Sequence, residues 1–272
     1  MGKSYSCYQC FSKEYQSSTC ESLSLLPDLN TTSSQTIHFP DQNDYQTYDN
    51  NEIIESETIS KTELIDTISK ANKRFLEEIS QNPETLGYTK AQSQGPIEVY
   101  LKDLQGGYSL MSIWKCDIEA AKVAKFLKLV EKRKDWDTNV AECKKICDIT
   151  ENIAVYYTLY KRFLMMAPRD TLIVGQQLSS DKGYIDVSTS INSSIVPETN
   201  SIVRAQISLA GYSIQPITKD DSGNITQIIS VSEANFGQSL AISMVKNMSI
   251  SLTPKFVRTM IDGMKKFDSL LN

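Results

Sequence analysis

The fold of this chain is decided by its C-terminal stretch, Thr253-Pro-Lys-Phe-Val-Arg-Thr-Met-Ile-Asp-Gly-Met-Lys-Lys-Phe-Asp-Ser-Leu-Leu271. Its apolar residues recur at helical spacing and form one broad stripe on an otherwise charged helix. Thr253 and Pro254 are a typical N-cap and first helical residue, so the helix is predicted to start or kink there. A stripe of this width has to be buried against the rest of the chain. Its members are Phe256, Val257, Met260, Ile261, Met264, Phe267 and Leu271.

Methionines on and before this helix leave two alternatives for its buried face. Met244 and Met248 belong to a shorter apolar segment, Leu240 to Met248, that leads into the helix, and Met260 and Met264 lie on the stripe. Because methionine side chains are flexible, such a face suits variable apolar matter, for example a bound ligand. The alternative is an ordinary packed core.

The composition excludes several classes of function. The 272 residues include 40% hydrophobic residues, which is enough to build a core, and carry a formal net charge of -5. No run rich in lysine and arginine exists to neutralise phosphates, so no nucleic-acid partner is expected. The longest apolar runs are far shorter than the ~20 residues that a membrane-spanning helix needs. Six cysteines without a secretory signal predict reduced thiols in the cytoplasm.

The cysteine pattern does not predict a metal site. Cys7 and Cys10 form a Cys-x-x-Cys pair, but a structural zinc site needs four ligands, and the sole histidine, His38, lies in a polar, loop-like context. We therefore expect no metal. Three further cysteines fall in or beside predicted strands and are expected to be small core residues: Cys116, Cys143 and Cys147.

The N-terminal sequence fits a lipidation signal. Met-Gly-Lys-Ser-Tyr-Ser matches the N-myristoylation pattern, which modifies Gly2 after Met1 is removed. Cys7 and Cys10 lie where a second, thioester-linked acyl chain is often placed. One myristoyl chain binds membranes only marginally, with a constant on the order of 10⁴ M⁻¹, so a second chain would make attachment stable. The prediction is a lipoprotein carrying myristate that is peripherally membrane-associated; the alternative is an unstructured N-terminus with incidental cysteines.

The chain divides into three predicted parts. Residues 1–57 are mostly polar and without period, which predicts a largely unstructured arm. Residues 58–82 are predicted to form a helix, because apolar residues from Leu64 to Ile79 recur at helical spacing and Asn82-Pro83 ends it. Residues 83–272 are predicted to form the main domain.

Within this domain the period alternates between strand and helix. Strands at Ile97–Leu101 and Tyr108–Cys116 are predicted to pair as a hairpin through Gly106-Gly107. A helix follows from Asp117 to about Lys134. Six more strands are predicted over residues 140–149, 153–161, 171–178, 184–191, 202–212 and 225–232.

This order of elements predicts an α+β fold. A curved antiparallel sheet of about eight strands has one dry concave face, and the long C-terminal helix is the large element available to cover it. A sheet wrapped around one helix in this way can leave an internal apolar cavity. The pattern does not indicate what fills that cavity.

Two short motifs carry a resemblance to a known family. Arg133-Lys-Asp-Trp136-Asp137 ends the middle helix, and Ala167-Pro168-Arg169-Asp170 opens a strand about thirty residues later. Both are similar to motifs of the START (steroidogenic acute regulatory protein-related lipid transfer) domain, a helix-grip fold. The resemblance extends to Tyr156-Tyr157 and to the start of the last helix, and covers roughly residues 84 to 271.

The resemblance implies a lipid-binding, non-enzymatic protein. Members bind one lipid, such as a sterol, phospholipid or sphingolipid, between the sheet and the C-terminal helix, and a loop before Pro-Arg-Asp acts with that helix as a lid. Here the loop is Arg162 to Ala167, and its apolar tip is expected either to touch a membrane or to pack on the helix. We expect no cofactor other than a bound lipid. The residues expected to line the cavity or lid are Tyr156, Phe163, Leu164, Met165, Met166, Arg169, Asp170, Met244, Phe256, Met260 and Met264.

Some motif residues leave alternatives open. Arg169 offers a donor fork to a lipid phosphate or hydroxyl, or it shapes the loop and strand start together with Asp170. Trp136 and Asp137 are expected to be structural, with Trp136 at the junction of helix and sheet. Gly175 lies where certain sterol-binding members carry a cavity arginine, which weakens a sterol assignment.

The remaining chemistry predicts no enzyme. No nucleophile with a base can be assembled, because His38 lies outside the predicted fold, and no glycine-rich phosphate loop appears. The cavity-facing sides of the strands are expected to be apolar. The alternative function is a structural or adaptor subunit that has kept this fold, with its polar arm lying along a larger complex.

Overall fold

The fold is seen in a computed structural model that describes residues 59–162, 167–217, 225–237 and 242–272. These residues form one sheet with helices on both faces. The strands are β1 (Thr89–Gln94), β2 (Ile97–Leu104), β3 (Gly107–Cys116), β4 (Val140–Asp148), β5 (Ile153–Tyr160), β6 (Arg169–Ser180), β7 (Gly183–Ser190), β8 (Val203–Arg204), β9 (Gln206–Ile217) and β10 (Ile225–Asn235). The helices are α1 (Lys61–Glu78), α2 (Ala120–Lys128), α3 (Ile242–Lys266) and α4 (Asp268–Leu271), with a 3₁₀ helix at Val130–Asp135.

The sheet is antiparallel along its whole length. Its strand order is β1-β2-β3-β10-β9-β7-β6-β5-β4, and the short β8 pairs in parallel with β6 off this path. Because strands distant in sequence, such as β3 and β10, lie side by side, the N-terminal hairpin and the C-terminal strands share one sheet. The sheet has two faces, which different helices cover.

Helix α1 covers the face that we call the outer face. Its Ser60 N-cap accepts a hydrogen bond from the backbone nitrogen of Glu63 at 3.1 Å, and its apolar stripe is buried against β6, β7 and β9. Phe75 is fully buried, and a Cβ added at Gly211 would lie 2.7 Å from its ring. Glycine at this position of β9 therefore lets the helix approach the sheet.

The opposite face, the inner face, is covered by α2 and α3. Helix α2 contacts β7 and β9, and α3 contacts β1, β2 and β3. Trp136 packs between them: its ring centroid lies 5.3 Å from that of Phe126 in α2 and 5.9 Å from that of Phe256 in α3. Buried residues of both helices join Trp114 and Ile228 of the sheet in one apolar cluster.

The predicted fold class is confirmed, with several differences in the elements. The large antiparallel sheet and the long C-terminal helix are present, and the predicted hairpin turns through Gly106, whose φ is 81°. Strand β1 was not predicted, because its sequence is polar and it lies at a sheet edge, where neither face of a strand needs apolar residues. The predicted middle helix is two elements, since Leu129 has φ -78° and ψ 53° and ends the α-helix.

The C-terminal helix also begins earlier than its cap signal indicates. It runs from Ile242 without a break past Thr253, and Pro254 lies inside it. A proline costs a helix one hydrogen bond. The Thr253 hydroxyl, which was expected to cap the helix, donates within the helix to the backbone oxygen of Ser249 at 2.7 Å. Of the strand cysteines, Cys116 and Cys143 are buried as expected, whereas Cys147 is only half-buried.

Candidate functional site

The inner face of β7 carries side chains that are only partly buried. On this strand Ile185 and Val187 point to the outer face and are fully buried, whereas Tyr184, Asp186 and Ser188 point inward and keep accessible surface. Burial is the main influence on the pKa of Asp186. We call this row of partly buried, inward-facing side chains the wall of the predicted cavity.

Arg133 and Asp137 form a charged pair on this wall. Arg133 Nε lies 3.3 Å from Asp137 Oδ2, and its guanidinium carbon lies 5.7 Å from the ring centroid of Tyr160. Burial alone would lower the pKa of Arg133, but Tyr160 and Asp137 outweigh burial and raise that pKa. Asp137 Oδ1 also accepts a hydrogen bond from the backbone nitrogen of Asn139 at 3.1 Å. Arg133 is therefore a fixed cation next to the cavity.

Asp186 is a second charged group on the wall. Its Oδ2 accepts a hydrogen bond from Gln177 Nε2 at 3.1 Å, and Gln177 lies directly opposite it on β6. Burial raises the pKa of Asp186 to about 6, although the hydrogen bond from Gln177 and the charge of Lys128 act in the other direction. The carboxyl group is thus poised to change its charge near neutral pH.

Tyrosines connect the two charged groups. Tyr212 of β9 is the direct strand partner of Asp186, and both Arg133 and Asp186 act on its phenol. Burial raises the pKa of Tyr212 and of Tyr156 to about 12, so both phenols are neutral at physiological pH. The wall therefore combines neutral phenols with one cation and two carboxyl groups.

Gly175 shapes the same wall. A Cβ added there would lie 3.1 Å from Tyr156 Cε2. The Tyr156 ring thus lies across the position where a side chain of residue 175 would project. That Tyr156 lines a lipid cavity stays a prediction.

The structure gives Arg169 and Asp170 partners within the protein. Arg169 donates to the backbone oxygens of Phe236 at 3.2 Å and Ala167 at 2.5 Å. Asp170 accepts two hydrogen bonds from Arg204, at 2.7 and 3.0 Å. These contacts favour the alternative in which the two residues shape the loop and strand start. A direct contact of either residue with lipid stays a prediction.

The predicted residues of the C-terminal helix separate into two groups. Met260 and Met264 are each 1% exposed and packed in the apolar cluster, and Phe256 is half-buried against Trp136. Met244 is 42% exposed, so its placement in the cavity is not supported by this structure. Trp136 was expected between helix and sheet; it packs between α2 and α3, in the apolar cluster that also contains Trp114 and Ile228 of the sheet. The remaining predicted residues, Phe163, Leu164, Met165, Met166, Gly2, Cys7 and Cys10, lie outside the described residues.

The inner face is only partly apolar, because polar side chains lie beside its buried apolar cluster. Arg133, Asp186, Gln177 and Tyr212 are polar residues on or beside it, and they were not among the predicted site residues. A signal was present in β7, where Tyr184, Asp186 and Ser188 alternate with apolar residues. Such alternation normally indicates a solvent-facing side, so it could not be distinguished from the wall of a polar cavity.

A pocket lies at the end of the sheet where α2 begins. Its volume is about 300 Å³, and Glu119, Asp181, Tyr184, Pro216 and Thr226 are among its lining residues. Tyr184 is two residues from Asp186 on the same face of β7, so this pocket adjoins the charged wall. Among the described residues, no group of three or more histidine, cysteine, aspartate or glutamate side chains is arranged to hold a metal ion. None of the described helices is long and apolar enough to cross a bilayer.

Comparison with known proteins identifies the family to which this architecture belongs. Residues 87–269 match the family model of the START domain. The chain belongs to the START domain family. It is 27% identical over 186 residues to START domain-containing protein 10 of Homo sapiens, a match that covers 67% of this chain and 62% of that protein. It thus spans less than two thirds of that relative's length.

Solved START structures share the fold. The crystal structure of human STARD10 has a TM-score of 0.63 and 19% sequence identity, covering 88% of this chain and 85% of that one. Human StAR-related lipid transfer protein 5 has a TM-score of 0.69 and 16% identity, covering 76% and 99%. A weaker sequence match, 24% identical, is the acetyl-coenzyme A thioesterase of Rattus norvegicus, and it covers 59% of this chain but only 28% of that protein.

Proposed function

We propose that this START domain binds a single lipid in the cavity between the inner face of the sheet and α3, without enzymatic activity. The observation that carries the proposal is the START family match over residues 87–269, together with the partly buried polar side chains of Arg133, Asp186 and Tyr212 beside the inner face. An enclosed, partly polar cavity in a START domain suits a molecule with a long apolar part and a small polar end.

The polar end of the lipid is best placed against Arg133. Its ion pair with Asp137 uses Nε, so within the described part of the chain its terminal nitrogens remain as donors. A phosphate accepts such donors in a fork, with charge-assisted hydrogen bonds. We therefore infer a phosphate-bearing lipid as the ligand class.

Native mass spectrometry of the purified full-length chain, followed by extraction of any co-purifying lipid, tests this proposal. We expect one phospholipid per chain. The matched variant is Arg133→Gln with Asp137→Asn, which removes both charges and leaves no buried charge unpaired. It should keep the fold by circular dichroism and lose most of the bound lipid. A stable wild-type chain that takes up no lipid from vesicles would refute the proposal and favour the adaptor function.

The proposal includes contact with a membrane surface. Helix α3 exposes large apolar side chains near its start, with Ile242 at 52%, Met244 at 42% and Leu252 at 42%. Exposed apolar side chains in the first half of a helix suit a helix that meets a bilayer when lipid enters or leaves. The N-myristoylation pattern at Gly2 would add a second, covalent attachment, and Cys7 or Cys10 a third.

A further inference from the structure

We propose that the acidic segment before α1, residues 14–57, docks on a basic face that α2, the 3₁₀ helix and the C-terminal half of α3 form in the same chain. The inference goes beyond the proposed function, because it does not require a lipid in the cavity. It assigns an occupant to the side of the molecule that lies opposite α1.

The helices on the inner face carry a local excess of positive charge. Residues 120–137 and 254–266 contain ten basic and four acidic side chains, although the whole chain has a formal net charge of -5. Because α2 and α3 both cover the inner face, their exposed side chains point away from the sheet on the same side of the molecule. The exposed residues that define the basic face are Lys128, Lys132, Lys134, Lys255, Arg258 and Lys266.

The charges of the basic face are not neutralised by neighbouring side chains. Within the described part of the chain, none of its six residues forms an ion pair with a carboxylate. Lys266 instead donates to the backbone oxygen of Asp135 at 3.1 Å. The exposed carboxylates of the same elements are those of Glu131, Asp135 and Asp262, too few to balance the basic residues. The face therefore keeps a positive field that can attract a polyanion.

Packing joins the 3₁₀ helix and α3 into one continuous surface. Trp136, which follows the 3₁₀ helix, has its ring centroid 5.9 Å from that of Phe256, and a Cβ added at Gly263 would lie 2.9 Å from it. Lys134 and Lys255 each lie within two residues of this contact along the chain. The charges of the two elements are therefore presented side by side.

The segment before α1 has the opposite charge. Residues 14–57 contain nine acidic side chains and no lysine or arginine. A block of like charges of this kind is typical of a segment that interacts with an oppositely charged surface. Six of the acidic residues are concentrated next to α1, namely Asp41, Asp44, Asp49, Glu52, Glu55 and Glu57.

The segment is long enough to reach the basic face, although it joins the domain on the outer side at Ser60, the N-cap of α1. A chain of 44 residues can extend over about 145 Å, whereas a domain of about 210 residues is about 45 Å across. Because the segment belongs to the same chain, its effective concentration at the basic face is on the order of millimolar. Tethering and charge complementarity thus favour this segment over a separate acidic partner.

Zero-length cross-linking of the purified full-length chain tests the inference. A carbodiimide joins a carboxylate to a lysine amine that contacts it, and mass spectrometry of the peptides identifies the two partners. We expect cross-links from residues 41–57 to lysines of the basic face at about 50 mM salt, and a loss of at least about fivefold at about 500 mM salt, because salt screens exposed charges. Lys70 and Lys73 are the reference lysines, since both are exposed on α1, close to where the segment joins the domain.

A pair of substitutions on the basic face should release the segment. Cleavage by a glutamyl endopeptidase after Glu52, Glu55 or Glu57 reports its accessibility. The variant Lys134→Gln with Lys255→Gln should be cleaved there about fivefold faster than the wild type, as for the loss of two exposed ion pairs. The matched control, Lys70→Gln with Lys73→Gln, removes the same charge from α1 and should be cleaved at the wild-type rate. Circular dichroism checks that both variants fold.

Cross-links that fall mainly on the two reference lysines, or that persist at high salt, would overturn the inference even if a substituted chain failed to fold. In a mixture of isotopically labelled and unlabelled chains, cross-links between the two kinds would show docking on a second copy and would overturn it as well.

Vesicles of phosphatidylserine test the other occupant, an anionic bilayer. Replacing the six acidic residues of 41–57 by their amides should strengthen binding of the full-length chain to these vesicles, because the segment and the bilayer compete for the same face. Equal binding would show that the segment does not occupy the face. These measurements require no lipid in the cavity, so their failure leaves the proposed function standing.

Discussion

The short motif from Arg133 to Asp137 contributes both a packing contact and a pair of charges. Trp136, between them in sequence, packs against Phe126 and Phe256, while Asp137 holds the Arg133 guanidinium beside Tyr160. The packing of the tryptophan fixes the backbone from which the two charged side chains project. The motif therefore places a cation next to the cavity and ties α2 to α3.

The charge of Asp186 should make the stability of the lipid-free protein depend on pH. Its pKa is about 6 in the folded state and 3.8 in the reference state, so between these values the folded protein binds more protons than the unfolded chain. The free energy of unfolding therefore falls as pH rises through this window. Asp186→Asn should be more stable than the lipid-free wild type at pH 7, by up to about 3 kcal/mol, and equally stable near pH 4.

Urea unfolding of both delipidated proteins at pH 4 and pH 7 measures this difference, with Asp148→Asn as the surface control. An equal free energy of unfolding at pH 7 would contradict the placement of the Asp186 carboxyl group in a low-dielectric cavity.

At the level of single residues, the sequence allowed prediction of packing better than of the cavity wall. Met260, Met264 and the apolar residues around them follow from helical spacing, because a stripe on a helix has to be buried. Asp186 and Tyr212 meet only when β7 and β9 pair, more than twenty residues apart in sequence. No local pattern indicates that an alternating polar side faces an enclosed space instead of water.

The two halves of helix α3 lie in different environments. Its residues from Val257 onward include the buried Met260, Gly263 and Met264, whereas Ile242 and Leu252 before Pro254 are exposed. The first half contacts the β2–β3 hairpin through polar groups: Lys246 pairs with Asp103, and the hydroxyls of Tyr108 and Ser249 lie 2.8 Å apart. The second half therefore carries the apolar packing that holds the helix on the domain.

The contact between α3 and Trp136, which follows the 3₁₀ helix, predicts the effect of adding a methyl group at Gly263. A Cβ added at Gly263 would lie 2.9 Å from Trp136 Cβ and Cγ. Trp136 Cβ is attached to the backbone and cannot rotate away. Although alanine favours a helix over glycine by about 1 kcal/mol, overpacking costs about 1–3 kcal/mol. Gly263→Ala should therefore lower the melting temperature by a few degrees.

Thermal unfolding followed by circular dichroism tests this expectation. The matched control is Gly107→Ala, because a Cβ at Gly107 would meet no heavy atom within 4 Å. The control should melt within about a degree of the wild type. A Gly263→Ala variant that is as stable as this control would show that the helix is not held tightly against Trp136.

The elements themselves were largely predictable, because their apolar periods are strong. The strands from Val140 to Asn235 and the helix α1 follow directly from alternation and helical spacing. Three features did not: the polar edge strand β1, the change of helix type at Leu129, and the start of α3 at Ile242. In each case the neighbouring elements, rather than the local sequence, determine the conformation.

At the scale of the whole molecule, the proposed function joins a lipid cavity to the exposed apolar side chains in the first half of α3. The proposed cavity would hold the lipid, and the first half of α3 would approach the membrane. These contacts are individually weak, since one acyl chain gives a binding constant on the order of 10⁴ M⁻¹ and a few exposed apolar side chains add little. When both contacts act on one molecule, their contributions to the membrane-binding constant would multiply.

The membrane contact should therefore respond to substitutions at two distant positions. Gly2→Ala removes the predicted acylation site, and Leu252→Asp places a charge on the exposed part of α3. Each should shift the protein expressed in eukaryotic cells from the membrane to the soluble fraction, and the double variant should shift furthest. Leu270→Asp is the matched control, because Leu270 is 54% exposed but lies in α4, beyond the far end of α3. If Leu252→Asp partitions like this control, the start of α3 does not contact the membrane; if Gly2→Ala partitions like the wild type, the N-terminus is not acylated.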